Sequence, residues 1–198
     1  MPLVQTTQPT SPVVSLAEAK EHCRIVATDT THDTLLARLI VAATEHVEAR
    51  TGTKLTPVTM RLDSEGFPSG DLVIPVYPVR SITAFVYDDW EGTETALTED
   101  TGGSPVGDYY KYLDGMSPFV RPVSAWPGVL SGKPNSVRLT FTAGYAYPSD
   151  CPEDMRAAVL VKIKEMFDHG GEVIDGVSVE SAVNTTHYLT AAHRRWDA

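Results

Sequence analysis

Apolar residues recur at helical spacing in two long stretches of the chain, each of which predicts a helix with one buried face. The first stretch begins near Asp33 and ends at Gly52, because glycine readily takes the left-handed conformation that closes a helix. Its apolar stripe comprises Leu36, Leu39, Ile40, Ala43 and Val47. The second stretch follows Pro152 and ends at His169, with a stripe of Met155, Val159, Ile163 and Phe167. Each stripe needs a partner to be buried, so we expect the two helices to pack together.

A shorter helix is predicted over residues 15–23. Ser15 and Glu18 have the spacing of a capping box, in which each residue satisfies a backbone donor of the other. Leu16, Ala19 and Cys23 then follow at helical spacing.

After Gly52 the pattern changes to alternating apolar and polar residues, interrupted by frequent prolines. Prolines at this density exclude long helices and separate short strands. The clearest strand signals are Ser81–Tyr87 and Ser136–Thr142, and the first leads into Asp88–Gly92, whose composition predicts a hairpin turn. We predict strands near residues 55–63, 71–75, 80–87, 94–97, 109–113, 119–122 and 136–142.

These elements predict an α+β fold, a helical frame with an inserted antiparallel β module and an extended C-terminal arm. The arm contains two short runs with strand character, Val173-Ile174 and Val177–Val179. The expected organisation is a flexible N-terminal arm (1–13), a helical body (14–53 and 144–170), an inserted β module (54–143) and a C-terminal docking arm (171–198).

The 198-residue chain carries a net charge of −10, which is spread along its length. Tight binding to nucleic acid phosphates requires clustered lysine and arginine, so this charge argues against it. The N-terminus lacks the basic start and apolar core of a signal peptide, and no apolar run has the length of a membrane span. We therefore expect no interaction with a membrane.

The residues contain no recognisable catalytic or metal-binding motif. The six histidines lack metal-ligand spacing, and Cys23 and Cys151 are predicted to be reduced, partly buried residues. Asp88 and Asp89 are adjacent carboxylates, but neighbouring residues in a turn point apart, and we expect a solvated charge pair. The prediction is a protein without enzymatic activity, cofactor or metal.

Partner binding is the role that the loop tryptophans and the chain end suggest. Trp126 either caps the core of the β module or anchors a partner protein, whereas Trp90 is expected to cap the core. In the C-terminal arm, Trp196 could fill a pocket on a partner while Arg194 and Arg195 pair with carboxylates. The alternative for this arm is a flexible terminus.

Several short segments occur in a characteristic order between residues 14 and 169. They are Val14–Lys20, Asp33–Leu36, Ala42–Gly52, Ile74–Val79, Val86–Asp88 with Gly92, Phe141–Tyr145 and Pro152–Val159. In this order and spacing the chain resembles the bacteriophage head–tail connector family, whose members are also called adaptor or head-completion proteins and also occur in gene transfer agents.

The resemblance implies a structural virion protein of the neck, between head and tail, that is assembled in the host cytoplasm. It implies a ring, expected to be dodecameric, that lies below the portal protein and extends the DNA channel. The implied partners are the portal, neighbouring copies of the chain and a downstream neck or tail-completion (stopper) protein. Packaged DNA would pass through the ring without tight binding, and the family offers no catalytic motif to transfer.

The residues alone leave two other classes of function open. A β-rich module with loop tryptophans could be a carbohydrate-binding module, and Asp88 or Asp89 could serve a small hydrolase. The choice between a phage and a gene transfer agent as the source is also open.

Overall fold

The computed structural model describes residues 1–7, 9, 11–102, 106–169 and 180–193. Within these residues the helices are α1 (Leu16–His22), α2 (Asp33–Thr51), α3 (Glu153–His169) and α4 (Glu180–Thr190). The strands are β1 (Leu3–Gln5), β2 (Val58–Ser64), β3 (Leu72–Val73), β4 (Val79–Asp88), β5 (Glu94–Ala96), β6 (Tyr109–Tyr112), β7 (Phe119–Pro122) and β8 (Val137–Ala143). The predicted α+β fold is confirmed, and every helix and strand predicted between residues 14 and 169 is present.

The described chain divides into two compact units. The β unit comprises residues 1–9 and 57–144, and the helical unit comprises residues 10–56 together with the described residues from 145 to 193. Most of the β unit is therefore an insertion between α2 and α3. None of the helices in the described ranges has the length and apolar character needed to cross a membrane.

The apolar stripes of α2 and α3 form the core of the helical unit, as predicted. Because their side chains recur every three to four residues, both stripes lie on single helix faces that can be buried together. The fully buried members are Leu36, Ala43, Val47, Met155, Val159 and Ile163.

Helix α1 is joined to α3 through the carboxylate of Glu18. Ser15 and Glu18 form the predicted capping box, and the Ser15 backbone N–H donates to Glu18 Oε2 at 2.7 Å. The guanidinium of Arg156 on α3 forms ion pairs with Glu18 and, at 2.7 Å, with Glu153. Hydrogen bonds from Ser15, and then the nearby charge of Arg156, hold the pKa of Glu18 below its ordinary value.

Two charged side chains, each less than a tenth exposed, form ion pairs and hydrogen bonds near the two ends of α2. Lys20 pairs with Asp33 in the first turn of α2, with 2.5 Å between Nζ and Oδ1. Near the other end, Glu48 accepts hydrogen bonds from the Leu55 backbone N–H at 2.8 Å and from Lys54 Nζ at 2.7 Å. Both ends of α2 are thereby fixed by ionic contacts as well as by apolar packing.

The β unit contains a five-stranded antiparallel sheet in the order β1-β2-β8-β4-β5 and a three-stranded antiparallel sheet in the order β3-β7-β6. Strand β8 is central in the larger sheet, and its alternating sequence buries Val137, Leu139 and Phe141. Side chains from both sheets contribute to one apolar core.

Residues 1–13, predicted to be a flexible arm, are structured over most of their described length. Leu3–Gln5 forms the edge strand β1 and pairs antiparallel with β2, and the Thr6 backbone N–H donates to the Thr59 carbonyl at 2.9 Å. Val13 is 1 % exposed in the core of the helical unit. The prediction was wrong because pairing with β2 satisfies backbone groups that a short, polar segment would otherwise expose to water.

The C-terminal segment contains a helix that the sequence did not predict. Helix α4 packs against α3, and Thr186 and Thr190 are 3 % and 2 % exposed. A 3₁₀ turn over Ala191–His193 follows, and His193 Nε2 lies 2.7 Å from Asp154 Oδ2 on α3. The predicted strand runs at 173–174 and 177–179 lie outside the described residues, and the docking role of 171–198 stays a prediction.

Candidate partner-binding surfaces

Trp126, predicted either to cap the core or to anchor a partner, is packed against the core of the β unit. Its indole ring stacks on Phe67, with 4.7 Å between ring centroids and 5° between ring planes. The ring of Phe85 meets it edge-on at 5.8 Å, and the indole Nε1–H donates to the Gly70 carbonyl at 2.8 Å. One ring face and the polar N–H of Trp126 are therefore engaged within the unit, which favours the core-capping interpretation.

Trp90, in contrast, is 74 % exposed at the tip of the β4–β5 hairpin. The expectation that it caps the core was wrong. The hairpin itself was predicted correctly, but the indole at its tip remains largely exposed to solvent. Trp90 is the most exposed tryptophan among the residues whose side chains the structure describes, and it is the stronger candidate for contact with another molecule.

The hairpin tip is a tight turn held by hydrogen bonds on both sides of Trp90. The Asp89 backbone N–H donates to the Thr93 carbonyl, and the Gly92 N–H donates to the Asp89 carbonyl, both at 2.9 Å. Asp89 Oδ1 also accepts from the backbone N–H groups of Glu91 and Thr93 at 2.9 Å each. Gly92 has a φ of +85°, a conformation that glycine adopts without steric cost.

The base of the hairpin is fixed by a buried carboxylate. Asp88 is 2 % exposed and accepts two hydrogen bonds from Arg138, at 2.9 Å from Nη1 and 2.8 Å from Nη2. Lys133 also pairs with Asp88, and Arg138 Nη2 donates to Glu94 Oε2 at 2.7 Å. The expected solvated pair of Asp88 and Asp89 was therefore wrong for Asp88. Because one carboxylate is held by cations and the other by the turn, they do not form a catalytic pair.

Hydrogen bonds from Arg138 and Lys133 hold the pKa of Asp88 well below its ordinary value. Because the pKa of Asp88 is lower in the folded protein than in the unfolded chain, where it is about 4, the ionised carboxylate stabilises the fold above that pH. This contribution is lost progressively as the pH falls from about 4 towards the folded-state pKa. Replacing Asp88 with Asn should therefore lower the free energy of unfolding of the β unit at pH 7, and the difference from wild type should shrink towards pH 2.

Urea denaturation followed by tryptophan fluorescence at pH 7, 4 and 2 measures this dependence. Asp114→Asn, an exposed aspartate after β6, is the control and should change the midpoint little at any of the three pH values. A pH-independent effect of Asp88→Asn would contradict an ionic role for the Asp88 carboxylate.

Both cysteines are free and buried, as predicted. Burial raises the pKa of the Cys151 thiol to about 12, and it also raises the pKa of Cys23. Neither thiol is activated as a nucleophile, because the thiolate is the reactive species. In the described part of the chain, no group of three or more His, Cys, Asp and Glu side chains could hold a metal ion.

One exposed surface was not anticipated from the sequence. On the three-stranded sheet, Tyr112 stacks on Phe119 with 5.2 Å between ring centroids, and Arg121 lies over the same Phe119 ring at 5.3 Å. Tyr110 and Tyr112 are 47 % and 50 % exposed. The cross-strand pairing of Tyr112 with Phe119 creates this aromatic face, and that register is not visible in either segment alone.

The three other predicted partner-binding residues, Arg194, Arg195 and Trp196, lie outside the described residues. Their proposed contacts with a partner therefore stay a prediction. The described residue nearest to them in the sequence is His193, which contacts Asp154 on α3.

The fold matches chains in solved structures of gene transfer agent particles. A chain of "Neck of empty GTA particle computed with C6 symmetry" matches with a TM-score of 0.81 and 21% identity, covering 100% of this chain and 97% of that chain. "Virion of native gene transfer agent (GTA) particle" gives 0.78 and 22%, and "Neck of native GTA particle computed with C12 symmetry" gives 0.73 and 22%, with the same coverages. At this identity the likeness establishes the fold.

A model of a known family matches part of the sequence. Residues 13–105 match the family described as phage gp6-like head-tail connector protein, a range that includes α1, α2 and the strands β2 to β5. The predicted resemblance to head–tail connector proteins is thereby confirmed. No curated protein matches the chain significantly.

Proposed function

We propose that the protein is a structural component of the virion neck, a head–tail connector that forms a ring below the portal. The single observation that carries this proposal is the fold match over the full length of the chain to a protein from a neck. The connector match over residues 13–105 supports the same function independently, because it rests on sequence. The chain contributes an assembly surface and no catalytic chemistry.

A dodecameric ring is the proposed assembly. It is supported by the likeness of this chain to a protein of a neck computed with C12 symmetry. In a closed ring each subunit contacts two neighbours through complementary, different surfaces. The proposed partners are neighbouring copies, the portal protein above and a stopper protein below, with assembly in the host cytoplasm before the tail is attached.

Native mass spectrometry of the pure chain, with and without the portal ring of the same particle, tests this function. The expected result is a complex in which one portal ring carries a dodecamer of this chain. Bovine serum albumin at the same concentration is the control for nonspecific adducts. A chain that stays monomeric and unbound at every portal concentration would contradict the proposal.

DNA should slide past the connector without being held. Given the net charge of −10, we expect the free chain to bind duplex DNA with a dissociation constant above about 10⁻⁴ M at physiological salt. This value is the weak end of the range for nonspecific binding. Fluorescence anisotropy with a labelled duplex measures this, and a basic DNA-binding protein is the positive control. Micromolar affinity that falls steeply with added salt would refute the expectation.

A carbohydrate-binding module is the second candidate function, and the aromatic face of the three-stranded sheet favours it. Tyr110 and Tyr112 are exposed there beside the ion pair of Arg121 with Asp71, which has a 2.7 Å Nε–Oδ1 distance. Exposed rings beside hydrogen-bonding groups are a common way to bind sugars. A glycan array that shows binding abolished by Tyr112→Ala would support this alternative, and an array without binding would exclude it for the glycans presented.

A further inference from the structure

The β4–β5 hairpin presents its tryptophan in a way that suits an anchor. Trp90 is 74 % exposed, although tryptophan is usually among the more buried residues in a folded protein. Exposed tryptophans that become buried on association are frequent among the residues that dominate binding energy. The fold of the β unit gives no reason for this side chain to be tryptophan, since the core is capped by Trp126 instead.

The hairpin is also braced by hydrogen bonds and ion pairs, and such preorganisation lowers the entropic cost of binding. The Asp88 backbone carbonyl accepts from the Leu130 N–H at 3.0 Å, and the Asp88 N–H donates to the Ser136 carbonyl at 2.8 Å. The buried contacts of the Asp88 side chain with Arg138 and Lys133 add ionic contacts to the same segment. The segment after β7 therefore braces the hairpin base, and the turn hydrogen bonds of Asp89 fix its tip.

The charge at the tip indicates what kind of surface can receive it. Trp90 lies between Asp89 and Glu91, whereas the negative charge of Asp88 at the base is balanced by Lys133 and Arg138. An acidic tip is repelled by another acidic surface, and this chain has a net charge of −10. A second copy is therefore a poor receptor, and a different protein with positive charge around its pocket is a good one.

We propose that the tip of the β4–β5 hairpin is a preorganised anchor that inserts Trp90 into an apolar, basic-rimmed pocket on a different protein of the neck. The inference rests on the proposed connector function, because it places the receptor in the same particle. Asp89 and Glu91 pair with the basic rim, and Trp90 fills the pocket. The Asp88 cluster acts as the positioning element that holds the hairpin in its bound conformation.

Photo-crosslinking identifies the receptor directly. A photoreactive p-benzoylphenylalanine replaces Trp90 in cells that assemble the particle, and a second variant carries it in place of Tyr147, which is 68 % exposed in the helical unit. Purified particles are irradiated, and the cross-linked peptides are identified by mass spectrometry. The expected cross-link from position 90 joins this chain to a different neck protein. The photoreactive residue at position 147 should not form this cross-link.

The affinity of the purified chain for the protein identified by cross-linking is then measured for the wild type and for variants. This comparison shows whether Trp90 contributes to binding or only lies close to the partner. Trp90→Ala should weaken binding by about 30-fold or more, the loss typical of a hot-spot residue, while Trp90→Phe should retain part of the affinity. Glu91→Lys should weaken binding most at low salt, and Tyr147→Ala is the matched control with unchanged affinity. Circular dichroism confirms that each variant remains folded.

Three outcomes overturn the anchor. Cross-links from position 90 solely to copies of this chain would assign the hairpin to the ring, and an absence of cross-links in assembled particles would leave it free. A cross-linked protein whose affinity does not depend on Trp90 would reduce the contact to proximity. Failure of the connector function has a different signature, because the chain would then be missing from purified particles before irradiation.

Discussion

Leu36→Ala should lower the free energy of unfolding of the helical unit by about 2–5 kcal/mol. Leu36 is fully buried in the core between α2 and α3, so truncation removes apolar contacts and leaves a cavity. Far-ultraviolet circular dichroism during urea denaturation reports on this unit, because all α-helices that the structure describes belong to it.

The preceding residue provides a matched control. Leu35 lies on the same helix but is 46 % exposed, and Leu35→Ala should change the free energy by no more than about 0.5 kcal/mol. The helix propensity cost is identical for the two substitutions, so their difference isolates burial. Equal effects of the two substitutions would show that the stripe of α2 is not the core of the unit.

Removal of residues 171–198 should destabilise the helical unit by about 2 kcal/mol, on the scale of one buried apolar side chain. The deletion takes away α4, whose Leu189 packs against the core, and the contact of His193 with Asp154. The sequence alone predicted a docking arm or a flexible terminus for residues 171–198, and the packing of α4 against α3 gives part of this segment a structural role.

A shorter deletion separates stability from docking. Removing residues 194–198 keeps α4 and His193 in place, so the unfolding transition should match that of the wild type. If Arg194, Arg195 and Trp196 dock on a partner as proposed, this variant should bind the portal about 30-fold more weakly or worse. Unchanged portal binding would contradict the docking arm, and an unchanged melt of the longer deletion would contradict a structural role for α4.

Local periodicity was sufficient for most of the fold. The alternation in β8 and the stripes of α2 and α3 reflect which face is buried, and that preference is visible within each segment. The capping box of Ser15 and Glu18 could be predicted for the same reason, since both partners lie within one helical turn. Elements whose stability is local, or whose burial follows one period, were predicted correctly.

The remaining features depend on residues far away in the chain. Strand β1 has three residues and exists because β2 offers it an edge. Helix α4 contains asparagine and adjacent threonines, which have weak helix propensity, and it packs on α3. In both elements, tertiary contacts outweigh a weak local preference.

The candidate site shows the same dependence. Which loop tryptophan is packed was decided by Phe67 and Gly70, which lie more than 50 residues before Trp126 in the sequence. Asp88 is buried because Arg138, 50 residues later, reaches its carboxylate across the β4–β8 pair. The residues next to Trp90 and Asp88 in the sequence give no sign of these distant contacts. The exposure of Trp90 and the burial of Asp88 could therefore not be predicted from the sequence alone.

Cryo-electron microscopy of purified particle necks tests the connector function most directly. Particles from wild-type cells are compared with particles from cells that lack the gene for this chain and from cells in which the gene is restored. A connector should give density for the helical and β units in a ring directly below the portal. In the deletion strain this density should be lost, and heads should fail to join tails. Complete, tailed particles with unchanged neck density in the deletion strain would contradict it.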